Sequence, residues 1–172
     1  PVPVAPLYDP ELRLLSRFGT GYTPTLIVGY GGLWGENYWY QHTNVWQNER
    51  LARFVPHHVT DPRSIRRTMA PDSEYHHFAL SKVATEILHR GGTVELGAHG
   101  QLQGLGVHWE LWMLQQGGMT NHEALRCATW MGARVIGLDL ELGSIRPNML
   151  ADIIVIDGDP LADIRQSEHV AY

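Results

Sequence analysis

Thr120-Asn-His-Glu-Ala-Leu-Arg-Cys-Ala-Thr129, Met131-Gly-Ala-Arg-Val-Ile-Gly-Leu138, Leu142-Gly-Ser-Ile-Arg-Pro-Asn-Met-Leu-Ala-Asp-Ile-Ile-Val-Ile-Asp157 and Gly158-Asp-Pro-Leu161 follow one another in the last third of the chain. Thr120 and Glu123 have capping-box spacing, in which a hydroxyl and a carboxylate three residues apart satisfy each other's free helix-start amides. Ala124, Leu125, Ala128 and Met131 give the helix that follows an apolar side. The pattern then switches to β, with strands expected over Leu142–Ile145 and Ala151–Asp157. Pro147 and Asn148 form the turn between them, because proline presets φ and asparagine tolerates the left-handed region.

Upstream, Thr93-Val-Glu-Leu-Gly97 reads as a buried strand, and Gly97 to Gly106 as a glycine-rich loop. His108 to Gln116 reads as a helix stopped by Gly117-Gly118. A further helix is expected from Ser73 to Arg90, where Phe78, Val83, Ile87 and Leu88 approximate helical spacing before Gly91-Gly92. Thr23-Pro-Thr-Leu-Ile-Val-Gly-Tyr30 is a nearly continuous apolar run, as in a parallel strand covered on both faces. Ahead of it, Asp9 is expected to cap a helix with Pro10 at its first position and Leu12, Leu15 and Phe18 on one face. Residues 31–71 show no clear period. The order strand, long loop, helix, strand is a βαβ unit, so the class is α/β with a parallel sheet and a right-handed crossover.

Composition narrows the partners. The 172 residues carry a net charge of −5 and no basic cluster, which argues against nucleic acid or an anionic membrane surface. Hydrophobic residues make up 44% of the chain, enough for a core, yet no apolar run reaches the length of a membrane span. Cys127 is the sole cysteine, so an internal disulfide is excluded. The expectation is a soluble protein of bacterial type, with cytoplasmic and exported locations both open.

Chemistry concentrates after the second strand, in Gly97-Ala98-His99-Gly100 and His108-Trp109-Glu110. Reacting groups of parallel α/β barrels gather at the C-terminal ends of strands, and His99 falls there. A neutral imidazole ligates zinc or accepts a proton. The alternative is a histidine satisfied by backbone groups in a tight loop. Glu110 reads either as a group capping free amides or favouring the helix dipole, or as a metal ligand with His108. The adjacent pairs His57-His58 and His76-His77 point about 100° apart on a helix and read as surface residues. Trp34, Tyr38, Trp39 and Tyr40, in the stretch that runs on to Trp46, have two readings: a lid that walls a substrate site, or aromatic glue for a long excursion.

The ordered run from Thr120 to Leu161 resembles the C-terminal end of amidohydrolase-superfamily enzymes. There a helix ends in Ala-Arg-x-x-Gly-Leu, and a Leu-Gly-Ser-Ile turn and an Ala-Asp-Ile-Ile-Val-type strand follow. Tyr22-Thr-Pro-Thr-Leu-Ile-Val28 resembles the seventh barrel strand of imidazolonepropionase-like and prolidase-like members. The His99-Gly-Gln segment is similar to that of branches fused to a TolB-like propeller. The resemblance implies the last two strands and helices of a (β/α)8 TIM barrel over residues 1–138, with strands of a composite β-sandwich over 139–172. A whole barrel takes about 250 residues, so the chain is expected to be a piece truncated at both ends.

The resemblance also implies one or two divalent metals, usually zinc, and hydrolysis of carbon–nitrogen bonds by metal-activated hydroxide. His99 stands where the family places an aspartate that touches the metal and takes the proton from water. It is therefore the implied catalytic and metal-contacting residue. Trp34, Tyr38, Trp39 and Tyr40 are the expected substrate wall, for a small-molecule or peptide-like substrate. The family's other ligands are a His-x-His pair, a lysine or acid near strand four, and histidines on strands five and six. No His-x-His occurs here, and Lys82 is the sole lysine. The chain alone is thus expected to be inactive, with the metal belonging to an intact parent. Two strands cannot close a barrel, so exposed edges are expected to be covered by a second copy or by an N-terminal barrel segment. The alternative from another class is a non-catalytic binding or assembly module that keeps the half-barrel.

Overall fold

The computed structural model describes residues 7–28 and 32–172. Helix α1 spans Asp9–Arg17, with Asp9 and Glu11 in its first turn and Arg17 in its last, as the helix dipole favours. Tyr8, not Asp9, occupies the N-cap position, and Asp9 instead accepts from Arg90 at 2.6 Å.

Strand β1 is Gly21–Tyr22 and pairs in parallel with β2, Thr93–Val94, with Gly21 opposite Thr93 and Tyr22 opposite Val94. The N–H of Glu95 extends the ladder by donating to the Tyr22 carbonyl at 3.1 Å. The expected strand over Thr23–Tyr30 is corrected: β1 ends at Tyr22, and Leu26 and Ile27 lie in a turn. Pro24 has no N–H, Thr25 sits at φ +49, and the amides of Leu26 and Ile27 go to a side chain instead of a strand. Residues 29 and 30 of that expectation lie outside the described ones.

The stretch without a period is helical. It holds α2 (Tyr38–His42), α3 (Glu49–Phe54) and α4 (His57–Ser64), with 3₁₀ turns at Gly32–Asn37 and Val45–Gln47. Asn48 caps α3 by accepting from the Leu51 N–H at 2.8 Å. Helix α5 (His77–His89) follows a 3₁₀ turn at Asp72–Glu74, so the expected helix begins four residues later than Ser73. Leu80, Val83, Ala84 and Ile87 form its buried side. Helix α6 (Gly106–Gln116) packs on α5, where Ser81 Oγ donates to the Met113 carbonyl. Gly117 closes α6 at that crossing, and a Cβ there would strike Ser81.

The capping box of Thr120 and Glu123 opens α7 (Asn121–Arg126). The helix widens through a π turn at Cys127–Met131 and resumes as α8 (Gly132–Val135). The Cys127 carbonyl accepts the Leu96 N–H at 3.3 Å, so this helix meets the edge of the chain leaving β2. The expectation leaves that edge to a second copy or an N-terminal barrel segment, and here the π turn of the same chain touches it.

Beyond Val135 the structure departs from the expected β-sandwich strands. Neither Leu142–Ile145 nor Ala151–Asp157 forms a strand; Ile156 makes an isolated antiparallel bridge with Val170. Val155 and Asp157 donate to the carbonyls of Tyr172 and His169 at 2.9 and 2.8 Å. A strand exists only where a neighbour takes its amides and carbonyls, and here only the last few residues do so. The expected turn is present, with Asn148 at φ +67. A 3₁₀ turn at Ile164–Glu168 docks this tail on α6: Trp112 Nε1 donates to the Ile164 carbonyl at 3.0 Å, and His108 Nδ1 lies 3.2 Å from Ser167 Oγ.

Candidate functional site at the strand ends

Parallel pairing sends both strands out at one end of the sheet, and two loops meet there. The loop after β2 carries His99, which is exposed and held at φ +53. Gly100, Leu102 and Gly104 share the left-handed region at φ +72, +40 and +93, so the loop coils tightly before α6 begins. Left-handed backbone is uncommon outside glycine, and three non-glycine residues adopt it across these two loops: Thr25, His99 and Leu102.

The loop after β1 is fixed by Glu110. This carboxylate, fully buried on α6, accepts the Leu26 N–H at 2.7 Å and the Ile27 N–H at 2.9 Å. Burial pushes its pKa up to about 8, against the pull of the two amides. The same burial, with the Glu110 charge nearby, raises the Tyr22 phenol to about 12. Of the two expectations for Glu110, amide capping is what the structure shows, but the amides belong to another loop and not to its own helix.

Glu95 lies on the sheet over Gly21, whose absent Cβ would stand 2.6 Å from Glu95 Oε2. Thr23 Oγ1 donates to Glu95 Oε1 at 2.5 Å, while Oε2 is buried without a partner. Among the described residues, no three His, Cys, Asp or Glu side chains come together as metal ligands. His99 offers one donor on an exposed loop, so these residues do not by themselves fit a metal ion.

The aromatic residues divide. Trp34 is half-buried and donates through Nε1 to Glu74. Tyr38, Trp39 and Tyr40 sit in succession on α2 and point into the core at 5%, 1% and 5% exposure. Tyr38 accepts from Gln116 Nε2 at 3.1 Å and packs on Tyr75, His77 and Phe78. Trp39 meets Trp112 edge to face under the Arg165 guanidinium, and Tyr40 meets Trp109. Their burial matches the glue reading of this stretch. It reaches the His99 loop through Gln101, which donates to Glu36 at 3.1 Å, while Glu36 pairs with Arg63 at 2.5 Å.

Of the adjacent histidine pairs, His57 is exposed, but His77 is buried at 1% exposure and hydrogen-bonded to Gln116. Burial lowers its pKa to about 4. His108 meets Ser167 and lines a cavity of about 750 Å3 with Arg50, Leu105 and Glu168. Sequence reading gives Glu110 amides to cap but not the loop that supplies them, although one signal is present: an acid flanked by apolar residues in Trp109-Glu-Leu-Trp112 needs a buried partner.

Comparison with known proteins supplies the frame. The sequence profile of the amidohydrolase family matches residues 81–171. The fold is similar to a crystal structure of a Xaa-Pro dipeptidase with methionine bound in its active site, with a TM-score of 0.59 at 21% identity. It is similar to the crystal structure of an amidohydrolase to the same degree, at 23% identity. In both cases 95% of this chain is covered, and the chain spans 35% of the other's length. At such identities the likeness concerns the α/β fold. Comparison with curated protein sequences gives no match. The profile covers just over half of the residues, from α5 through the tail, and the chain belongs to the amidohydrolase family.

Proposed function

We propose that this chain is the C-terminal part of a hydrolase acting on carbon–nitrogen bonds, of the prolidase-like and imidazolonepropionase-like kind. The substrate class is a peptide-like amide. The observation that carries the reading is the position of His99, exposed in a left-handed turn at the end of a parallel strand, in a chain of this family. The site geometry supports a proton acceptor there. An imidazole carries a ring nitrogen that can take a proton from attacking water. In the parent a divalent metal ion, zinc in most such enzymes, would draw its remaining donors from residues outside this set. A fused TolB-like propeller belongs to the same reading. Trp34 shapes substrate selection from one side, while Tyr38, Trp39 and Tyr40 anchor the same stretch in the core.

The test is made on the parent enzyme with dipeptide substrates. His99→Ala should lower kcat on the order of 100-fold, and His99→Asp should keep part of the activity. Trp34→Ala should raise KM or change substrate preference with metal content unchanged. Chelator should abolish turnover and added zinc restore it. Full activity in His99→Ala, or turnover that resists chelator, overturns the reading. A parent that binds such peptides without cleaving them is instead a binding or assembly module.

A further inference from the structure

A buried acid is costly unless paired, and Glu110 has no cation against it among the described residues. What it holds explains its place. Its two oxygens take the Leu26 and Ile27 amides, and Val28 N–H closes the turn on the Thr25 carbonyl at 3.3 Å. That turn is wedged into both ends of the His99 loop. Thr25 Oγ1 lies 3.2 Å from where a Cβ on Gly97 would stand, and Ile27 Cδ1 lies 3.7 Å from the same point on Gly106. Gly97 precedes His99 by two residues, and Gly106 opens the helix that carries Glu110. The contacts form a closed ring: Glu110, the Leu26–Ile27 turn, Gly97, His99, Gly106 and back along α6.

Left-handed threonine and histidine cost energy and persist only where neighbours over-determine them. Three of the four non-glycine residues of that kind among the described ones lie in this ring; the fourth is Asn148 in the tail turn. We propose that Glu110 is a positioning residue for His99, pinning the loop after β1 against the loop after β2 so that the imidazole keeps one place at the rim. Its part in turnover rests on the reading of His99 given above; the pinning itself does not. Two amide donors need two acceptor oxygens, and both oxygens of Glu110 carry acceptor lone pairs whether the group is ionised or protonated. Glutamine, of equal size, supplies one and turns an NH₂ toward the second amide.

The experiment compares wild type with Glu110→Gln in three readouts. Hydrogen exchange in the full chain should be slow at Leu26 and Ile27 and quicken about tenfold or more in the variant, with α5 unchanged. The imidazole proton resonances of His99, assigned with His99→Gln, should shift or broaden. In the parent, kcat should fall about tenfold with KM within about twofold. Rapid exchange at Leu26 and Ile27 in wild type overturns the proposal without any variant, so a variant that fails to fold does not leave it open. Quickened exchange with an unmoved His99 signal overturns the positioning role. If the wild-type parent hydrolyses nothing, the functional reading fails, and exchange and resonance still judge Glu110.

Discussion

The unit from α1 to α8 and the tail after Val135 are built from similar residues and end in different states. In the first, Leu26, Ile87, Val94 and Leu114 are almost wholly buried. In the second, Leu140 and Ile145 stand at 88% and 86% exposure, and Ile153, Ile154 and Val155 are exposed as well. The tail's Ile-Ile-Val-Ile run has higher β preference than Gly21-Tyr22, yet only the latter is a strand. The difference lies in neighbours. β1 and β2 have each other, with α5 and α6 packed nearby, whereas the backbone of residues 151–157 finds only the tail's own last residues, and the tail is tied to the helices by the 3₁₀ turn on α6, by Asn121 at Leu161 and by Arg50 at Val170. Strand preference is a property of a pleated surface that something covers.

The largest effect expected across this divide comes from truncating a core side chain. Leu114→Ala should cost about 2–5 kcal/mol, while Ile153→Ala should change stability by less than about 0.5 kcal/mol in chemical denaturation. Comparable losses would mean that the tail is packed in solution as tightly as the helices are.

Next in size is a pH effect confined to the first unit. Glu110 is raised from 4.5 to about 8 by burial, so the folded chain holds its proton more tightly than the unfolded one. Its contribution is complete below the unfolded value and is lost as pH rises through about 8. Thermal melts should therefore weaken by a few kcal/mol from mildly acidic to mildly alkaline pH, and Glu110→Gln should flatten that slope. A wild-type profile as flat as the variant's would show Glu110 to be solvated.

His77 acts in the opposite sense. Burial depresses it from 6.5 to about 4, so its contribution is present above the unfolded value and is lost as pH falls through about 4. Roughly 3 kcal/mol should disappear between the unfolded value and about 4. His77→Gln should remove the acid-side loss while leaving the alkaline one, and an unchanged acid limb would place the destabilising group elsewhere.

The smallest effect is a cap. Thr120→Ala removes the hydroxyl that accepts from Glu123 and should cost about 1 kcal/mol, read as a lower melting temperature. No change would indicate that α7 is held wholly by its packing against α6.

Much of the first unit was legible in the sequence, because its signals are local. The Thr120–Glu123 box, the glycine stops after α5 and α6, and the start of β2 at Thr93 each depend on residues within one or two turns. The helices between residues 38 and 64 were not legible. Each is five to eight residues long, too short for an apolar period to emerge, and α4 even contains Pro62. The end of β1 was misread because its cause is distant: the acceptor for Leu26 and Ile27 lies more than eighty residues away on α6. At the site, the place of His99 followed from strand order, but its left-handed backbone and its tie to Glu110 arise from how two loops share one space. The tail was misread in the reverse way, since its motif is the most family-like part of the chain and its strands depend on partners that the motif does not contain.

The bond from Leu96 to the Cys127 carbonyl, made beside a π turn, turns the free side of β2 into a lock with a key already in it. A strand arriving at that side does not add to the sheet as to a bare edge. It competes with the π turn for the Leu96 amide. Pairing there would exchange one hydrogen bond of the Leu96 amide for another, so that amide gains no new partner by it.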